Sequence, residues 1–194
     1  MDTPPLILAS TSPYRAAQLR QLELEFQAIP PGTDETPLPD EAPEAMVARL
    51  AEEKAAGVAR QHPEAVVIGS DQCAAHQGRA LGKPGDVETA CTQLRSVSGR
   101  TVTFQTAICV RCENAGFLRT EVFPFKTVFR ELSDEQIRRY VERDRPLDCA
   151  GSIRAESLGL ALLVRTEGDD PSTVTGLPLI HTVRMLEAAG LSVL

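Results

Sequence analysis

The sequence predicts an α/β protein with a mixed β-sheet covered by helices on both faces. Three observations predict it. Short apolar runs that suit buried strands alternate with segments of helical apolar spacing, two long strand-like runs are joined by a tight polar turn, and several helix starts carry capping residues.

Leu6-Ile7-Leu8-Ala9 is a buried-strand run. Ser12 suits an N-cap and Pro13 the first helical position, where a missing N–H removes no hydrogen bond, so a helix runs from there to about Leu22. The proline-rich stretch 30–43 reads as an active-site loop. Pro43-Glu44 then opens a helix in which Val47, Leu50, Lys54 or Ala55, and Val58 recur at helical spacing, ending near His62-Pro63. Residues 65–69 form a second buried strand, with Asp71 directly after it. Asp86 caps a helix to about Leu94, and residues 101–110 and 118–129 form two long strands joined near Asn114-Ala115-Gly116. Ser133 to Gln136 is a capping box for a helix reaching about Arg143. A late strand over 158–164 and a last helix over 179–188, stopped by Gly190, complete the reading. With no repeat, low-complexity tract or long linker, residues 1–194 read as a single domain.

A chain of 194 residues, 42% of them hydrophobic, can bury a substantial core, which without tryptophan is mainly Leu, Val, Ile and Ala. The net charge of −7 argues against bulk attraction to nucleic acid or anionic lipid, so positive charge at any anion site must be local. Such a chain handling a polyanion is helped by a divalent cation. Met1-Asp2-Thr3-Pro4-Pro5 carries no basic stretch before a long apolar segment, and no apolar run approaches membrane-spanning length, so neither a signal peptide nor a membrane span is expected. Five cysteines, an odd number, fit a reducing cytoplasm. Cys109-Val110-Arg111-Cys112 has zinc-like spacing but lacks a second Cys/His pair.

The first strand-to-helix junction reads as an anion cradle. Unpaired N–H groups at the helix start face the loop, so a phosphate chain fits there with Ser10, Thr11, Ser12 and Arg15 around it. Lys54 and Lys83 offer single charges for phosphate oxygens, while Arg15 and Arg100 offer planar forks. Asp71, placed at the end of a rigid strand, is the candidate general base, a role that supplies roughly 10²–10⁴-fold in rate. Plainer readings stand beside these: a Ser-Pro helix cap, an aspartate capping a turn, and cations solvated at the surface.

Ser10-Thr11-Ser12-Pro13-Tyr14-Arg15 after an N-terminal Leu-x-Leu-Ala strand resembles the Maf family of nucleoside triphosphate pyrophosphatases, relatives in fold of the inosine triphosphate pyrophosphatases. The resemblance continues in order through Glu52-Glu53-Lys54-Ala55, Gly69-Ser70-Asp71-Gln72, Gly82-Lys83-Pro84, Ser98-Gly99-Arg100, Gly151-Ser152 to Gly159, and Gly176-Leu177-Pro178-Leu179. It implies an elongated mixed sheet flanked by helices, in two lobes with the substrate in a central cleft. It also implies Asp71 as proton acceptor and Glu35 as a ligand, with Asp71, for Mg²⁺ or Mn²⁺. Asp34 is the alternative to Glu35.

Within the family the chain looks most like the 7-methyl-GTP branch. Three positions carry that likeness: Tyr14, Gln72 and Glu156. An aromatic ring at Tyr14 stacks on a purine, and a cationic N7-methylated ring adds about 0.5–2 kcal/mol by cation–π attraction. The Glu156 carboxylate accepts from the N1–H and N2–H₂ edge of guanine. Tyr14 packed on its helix and Glu156 paired with Arg154 are the alternatives. Ile153 and Arg154 depart from the tyrosine and lysine usual in this branch.

The implied activity is hydrolysis of 7-methyl-GTP to 7-methyl-GMP and pyrophosphate, keeping modified nucleotides out of nucleic acids, in a cytoplasmic protein that forms a homodimer. A dTTP/UTP pyrophosphatase of the sister branch and a non-catalytic nucleotide-sensing regulator of cell division are the rival readings. A serine hydrolase is disfavoured because His62, His76 and His181 lie in no nucleophile-elbow or metalloprotease motif, and no Walker lysine loop is present.

Overall fold

A computed structural model describes residues 4–194. Met1-Asp2-Thr3, where part of the signal-peptide reading falls, lie outside the described residues. In chain order the regular elements are β1 (Leu6–Ala9), α1 (Pro13–Arg20), β2 (Gln27–Ala28), α2 (Pro43–Ala59), β3 (Val66–His76), β4 (Arg79–Leu81), α3 (Val87–Val97), β5 (Thr101–Cys112), β6 (Phe117–Phe129), α4 (Asp134–Asp144), β7 (Leu163–Glu167) and α5 (Leu179–Ala188). The strands form one seven-stranded mixed sheet in the order β2-β1-β3-β5-β6-β7, with β4 paired to β3. β1 runs parallel to β2 and β3, whereas β3–β4 and β6–β7 are antiparallel. The α/β class with a helix-flanked mixed sheet is therefore present.

The chain separates into two compact units. The first holds the residues up to Asp71 together with Thr106–Phe123 and Asp170–Leu194; the second holds Gln72–Gln105 and Pro124–Asp169.

In the first unit, strand alternation sorts residues between two helical layers. Leu6, Leu8, Val66 and Ile68 join Ala16 and Leu19 of α1 and Met185 and Leu186 of α5 in one apolar cluster. Gly69 points to the other face, where a Cβ would stand 2.2 Å from the Ala51 carbonyl and 2.7 Å from the Ala55 amide of α2. Only a residue without a side chain lets that strand and helix approach so closely.

The second unit packs α3 against α4, with Cys91, Leu94, Ile137 and Val141 fully or almost fully buried. Ser133 and Gln136 make both hydrogen bonds of the expected capping box. Asp86 caps α3 through the Thr89 amide at 2.8 Å, and that helix runs three residues past its expected end.

Three elements depart from the sequence reading. β3 does not stop before Asp71 but continues to His76, because Gln77 and Gly78, with φ of 51° and 75°, turn it back onto β4 as a two-residue hairpin. The run over 158–164 is not one strand. Leu158–Leu162 is a 3-10 turn, since Gly159 folds back until its amide donates to the Arg154 carbonyl at 3.1 Å, and the strand is Leu163–Glu167. α1 ends at Arg20, where i→i−3 bonds tighten the chain into Glu23 with φ of 54°.

Candidate active site

Period-two alternation along β3 places Ser70 on the α1/α5 face and Asp71 on the α2 face. Lys54 of α2 lies on that second face and is 3% exposed, so its ammonium requires acidic company. It has two partners. Nζ donates to Asp71 Oδ1 at 2.6 Å and lies 2.6 Å from Glu35 Oε1. The helical spacing that left Lys54 among apolar residues thus marks a buried ion-paired cation.

Glu35 comes from the proline-rich loop, which is tied to α2. Arg49 donates to Glu41 Oε1 and Oε2 at 2.6 and 2.7 Å and to the Thr36 carbonyl at 3.4 Å, while the Leu38 amide donates to Glu41 at 3.0 Å. The Arg49 guanidinium pulls the Glu41 carboxyl down to about 2. Asp34 turns onto its own loop, accepting from the Thr36 amide and hydroxyl, and those bonds lower its pKa.

At the start of α1, Ser12 caps the helix by accepting from the Arg15 amide at 3.3 Å, and Ser10 accepts from the Ser12 amide at 3.1 Å. Tyr14 is the second residue of the helix and is half-buried. Arg15 donates through Nε to the Gly176 carbonyl at 3.0 Å. Burial pulls its pKa down from the ordinary value, and the charges of Asp71 and Glu35 oppose that pull. Ser10, Ser12, Arg15, Lys54, Glu35 and Asp71 all belong to the first unit.

Gln72, Lys83, Arg100 and Glu156 belong to the second unit. Lys83 and Arg100 are exposed, and Gln72 is half-buried. The turn before Lys83 is fixed from α3: Gln93 donates to the Gly82 carbonyl at 3.2 Å and accepts from buried Ser152 at 2.6 Å. Arg154 Nε stands 3.8 Å from Glu156 Oε1, the pairing weighed as an alternative above. Partial burial pushes the Glu156 carboxyl up; Arg154 lowers it, and Asp144 and Asp148 raise it.

Among the described residues no three His, Cys, Asp or Glu side chains are grouped to hold a metal ion. Glu35 and Asp71 nonetheless form an oxygen pair meeting on one nitrogen. Mg²⁺ is commonly held by one or two carboxylates plus substrate phosphates, and this donor set fits that demand. All five cysteines are free, and burial raises Cys109 to about 11, away from a reactive thiolate.

Sequence reasoning gave no role to Ser70, Arg49, Glu41 or the Gly176 carbonyl. Ser70 carried a usable signal, since a serine inside a buried strand run must find a hydrogen-bond partner. Backbone carbonyls and loop-anchoring pairs carry none.

The fold and these side chains define an α/β protein with a buried lysine and a partly exposed arginine about an acidic strand residue, a class suited to polyanion chemistry. The chain belongs to the Maf family: the family model described as Maf-like protein matches residues 5–189. It is 50% identical over 188 residues to a protein of Polaromonas sp. strain JS666, covering 97% of this chain and 86% of that one. It is 52% identical over 186 residues to one of Aromatoleum aromaticum, covering 96% of each. A third, from Nitrosococcus oceani, is 50% identical over 191 residues, covering 98% of this chain and 96% of its own. All three are named 7-methyl-GTP pyrophosphatase. The solved Staphylococcus aureus Ham1 protein covers 67% of this chain and 72% of its own at 17% identity with a TM-score of 0.42, and adds nothing to the assignment.

Proposed function

We propose that this protein hydrolyses 7-methyl-GTP between the α- and β-phosphates, releasing 7-methyl-GMP and pyrophosphate with the help of Mg²⁺ or Mn²⁺. The observation that carries the chemistry is Asp71, held in a rigid strand with Oδ1 engaged by Lys54 at 2.6 Å. Oδ2 is the oxygen proposed to take a proton from water. The water oxygen bonds to the α-phosphorus as the bond to the bridging oxygen breaks, and the electron pair leaves with pyrophosphate. Arg15 and Lys54 offset charge building on the phosphate oxygens. A divalent ion on Glu35 and Asp71 would add to that neutralisation.

The substrate follows the relatives' names at 50–52% identity over nearly the full chain. Tyr14, Gln72 and Glu156 take base selection, and Ser10, Ser12, Lys83 and Arg100 further phosphate contacts, as the family resemblance implies. The same resemblance supports a homodimer, and the five free cysteines support a cytoplasmic setting.

The test is release of pyrophosphate from 7-methyl-GTP, GTP, dTTP and UTP with Mg²⁺ or Mn²⁺. Preference for 7-methyl-GTP is expected. Equal rates for 7-methyl-GTP and GTP overturn the base assignment, and preference for dTTP or UTP moves the chain to the sister branch.

A further inference from the structure

Gly176 lies in the Gly176-Leu177-Pro178-Leu179 motif, to which no chemistry is assigned above. Its φ of 113° is open to glycine, and a Cβ there would stand 3.3 Å from Nε of Arg15. Its carbonyl accepts twice: from Arg15 Nε at 3.0 Å and from the Ser70 hydroxyl at 3.0 Å. A carbonyl oxygen has two lone pairs, so these donors saturate it.

We propose that Ser70 is a positioning residue for Arg15, acting through the Gly176 carbonyl to set where the guanidinium presents its terminal nitrogens to a phosphate chain. The proposal rests on the reading of Arg15 as a phosphate ligand. With Nε committed to the carbonyl, the two terminal NH₂ groups are the fork that takes a pair of phosphate oxygens. Ser70 is fully buried, so no water replaces its hydroxyl once that is removed. Because Ser70 adjoins Asp71 in β3, one strand holds the acid on one face and locates the arginine from the other. The Gly176 segment has other anchors: Gln18 donates to the Ser172 and Leu177 carbonyls at 2.7 and 3.2 Å, and Thr106 to the Thr173 carbonyl at 3.2 Å. Losing the Ser70 hydroxyl therefore frees the Gly176 carbonyl while the segment stays docked.

The experiment is a double-mutant cycle between Ser70→Ala and Arg15→Lys. It reads tripolyphosphate binding by calorimetry with Mg²⁺ and, in parallel, steady-state turnover of 7-methyl-GTP. Ser70→Ala is expected to weaken tripolyphosphate binding about tenfold and to lower kcat/KM for 7-methyl-GTP by at least as much, because one hydrogen bond in a charged network that also serves the transition state is lost. In the Arg15→Lys background the same change should have no further effect. Ser70→Cys keeps the volume with a weaker donor and should fall between wild type and Ser70→Ala; if the alanine variant misfolds, the cycle is read on the cysteine variant. Binding within twofold of wild type, an undiminished effect beside Arg15→Lys, or a wild type that does not bind tripolyphosphate would each overturn the proposal. Failure of the pyrophosphatase reading shows separately, as tripolyphosphate binding without turnover of any nucleotide.

Discussion

Lys54 Nζ and Asp71 Oδ1 meet at 2.6 Å, the cation from the fourth turn of α2 and the acid from the middle of β3. Lys54 is also 2.6 Å from Glu35, so one buried ammonium joins a helix, a strand and a loop. Asp71→Asn should lower turnover by roughly 10²–10⁴-fold, the contribution of a general base, and leave nucleotide binding largely intact. Single-turnover rates and equilibrium binding measured on one preparation separate the two. Near-normal turnover would remove Asp71 from the mechanism.

Gly69→Ala should act on the same pair indirectly. The new methyl would lie 2.2 Å from the Ala51 carbonyl, and neither strand nor helix backbone can yield that space cheaply. A loss of about 1–3 kcal/mol is expected from overpacking, read as a lower urea midpoint with an unchanged slope. A variant as stable as wild type would show that the α2–β3 contact tolerates separation.

The anchor between Glu41 and Arg49 predicts an acid-sensitive loop. The carboxyl of Glu41 lies at about 2 in the fold against an ordinary 4.5, chiefly because Arg49 donates to it. A lowered pKa adds stability above the ordinary value, and that stability fades as pH falls from 4.5 towards 2. Glu41→Gln should flatten the thermal midpoint over that interval. An acid profile identical to wild type would remove the pair from the loop's stability.

Glu156 has the opposite sign. Burial raises its pKa, so the native state takes up this proton more readily than the unfolded chain, and the group favours folding more as pH drops. In the proposed contact with the guanine edge the carboxylate is the useful form. Preference for 7-methyl-GTP over dTTP should therefore shrink on mild acidification, before an ordinary glutamate would titrate. Glu156→Gln should reduce that preference by about tenfold at neutral pH and abolish its pH dependence, as loss of a charged acceptor predicts. Selectivity measured as a ratio of kcat/KM between pH 5 and 8 decides it.

Local chemistry made much of the fold legible. Ser12-Pro13, Asp86 and the Ser133 capping box mark helix starts because each satisfies backbone donors next to it in sequence. The hairpin at Gln77-Gly78 escaped because β3 loses its apolar pattern after Asp71, and the 3-10 turn at 158–162 escaped because Leu158, Leu160 and Leu162 imitate a strand. Lys54 was legible at the site because a lysine in an apolar stripe is conspicuous. Its two partners lie 17 and 19 positions away in sequence, and no periodicity joins a loop glutamate, a helix lysine and a strand aspartate.

The last helix starts on borrowed caps. Pro178, its own N-cap residue, supplies no side-chain bond; the Leu179 amide donates to Ser172 Oγ at 2.7 Å and the Ile180 amide to buried Asp170 at 2.8 Å. Ser172 also donates to Asp170, and its carbonyl receives Gln18. The C-terminal segment is therefore no detachable module. Lengthening the stretch between Ser172 and Leu179 by even one residue would uncap the helix and shift the glycine carbonyl that receives Arg15, so insertions there should be far less tolerated than in the turn at 113–116.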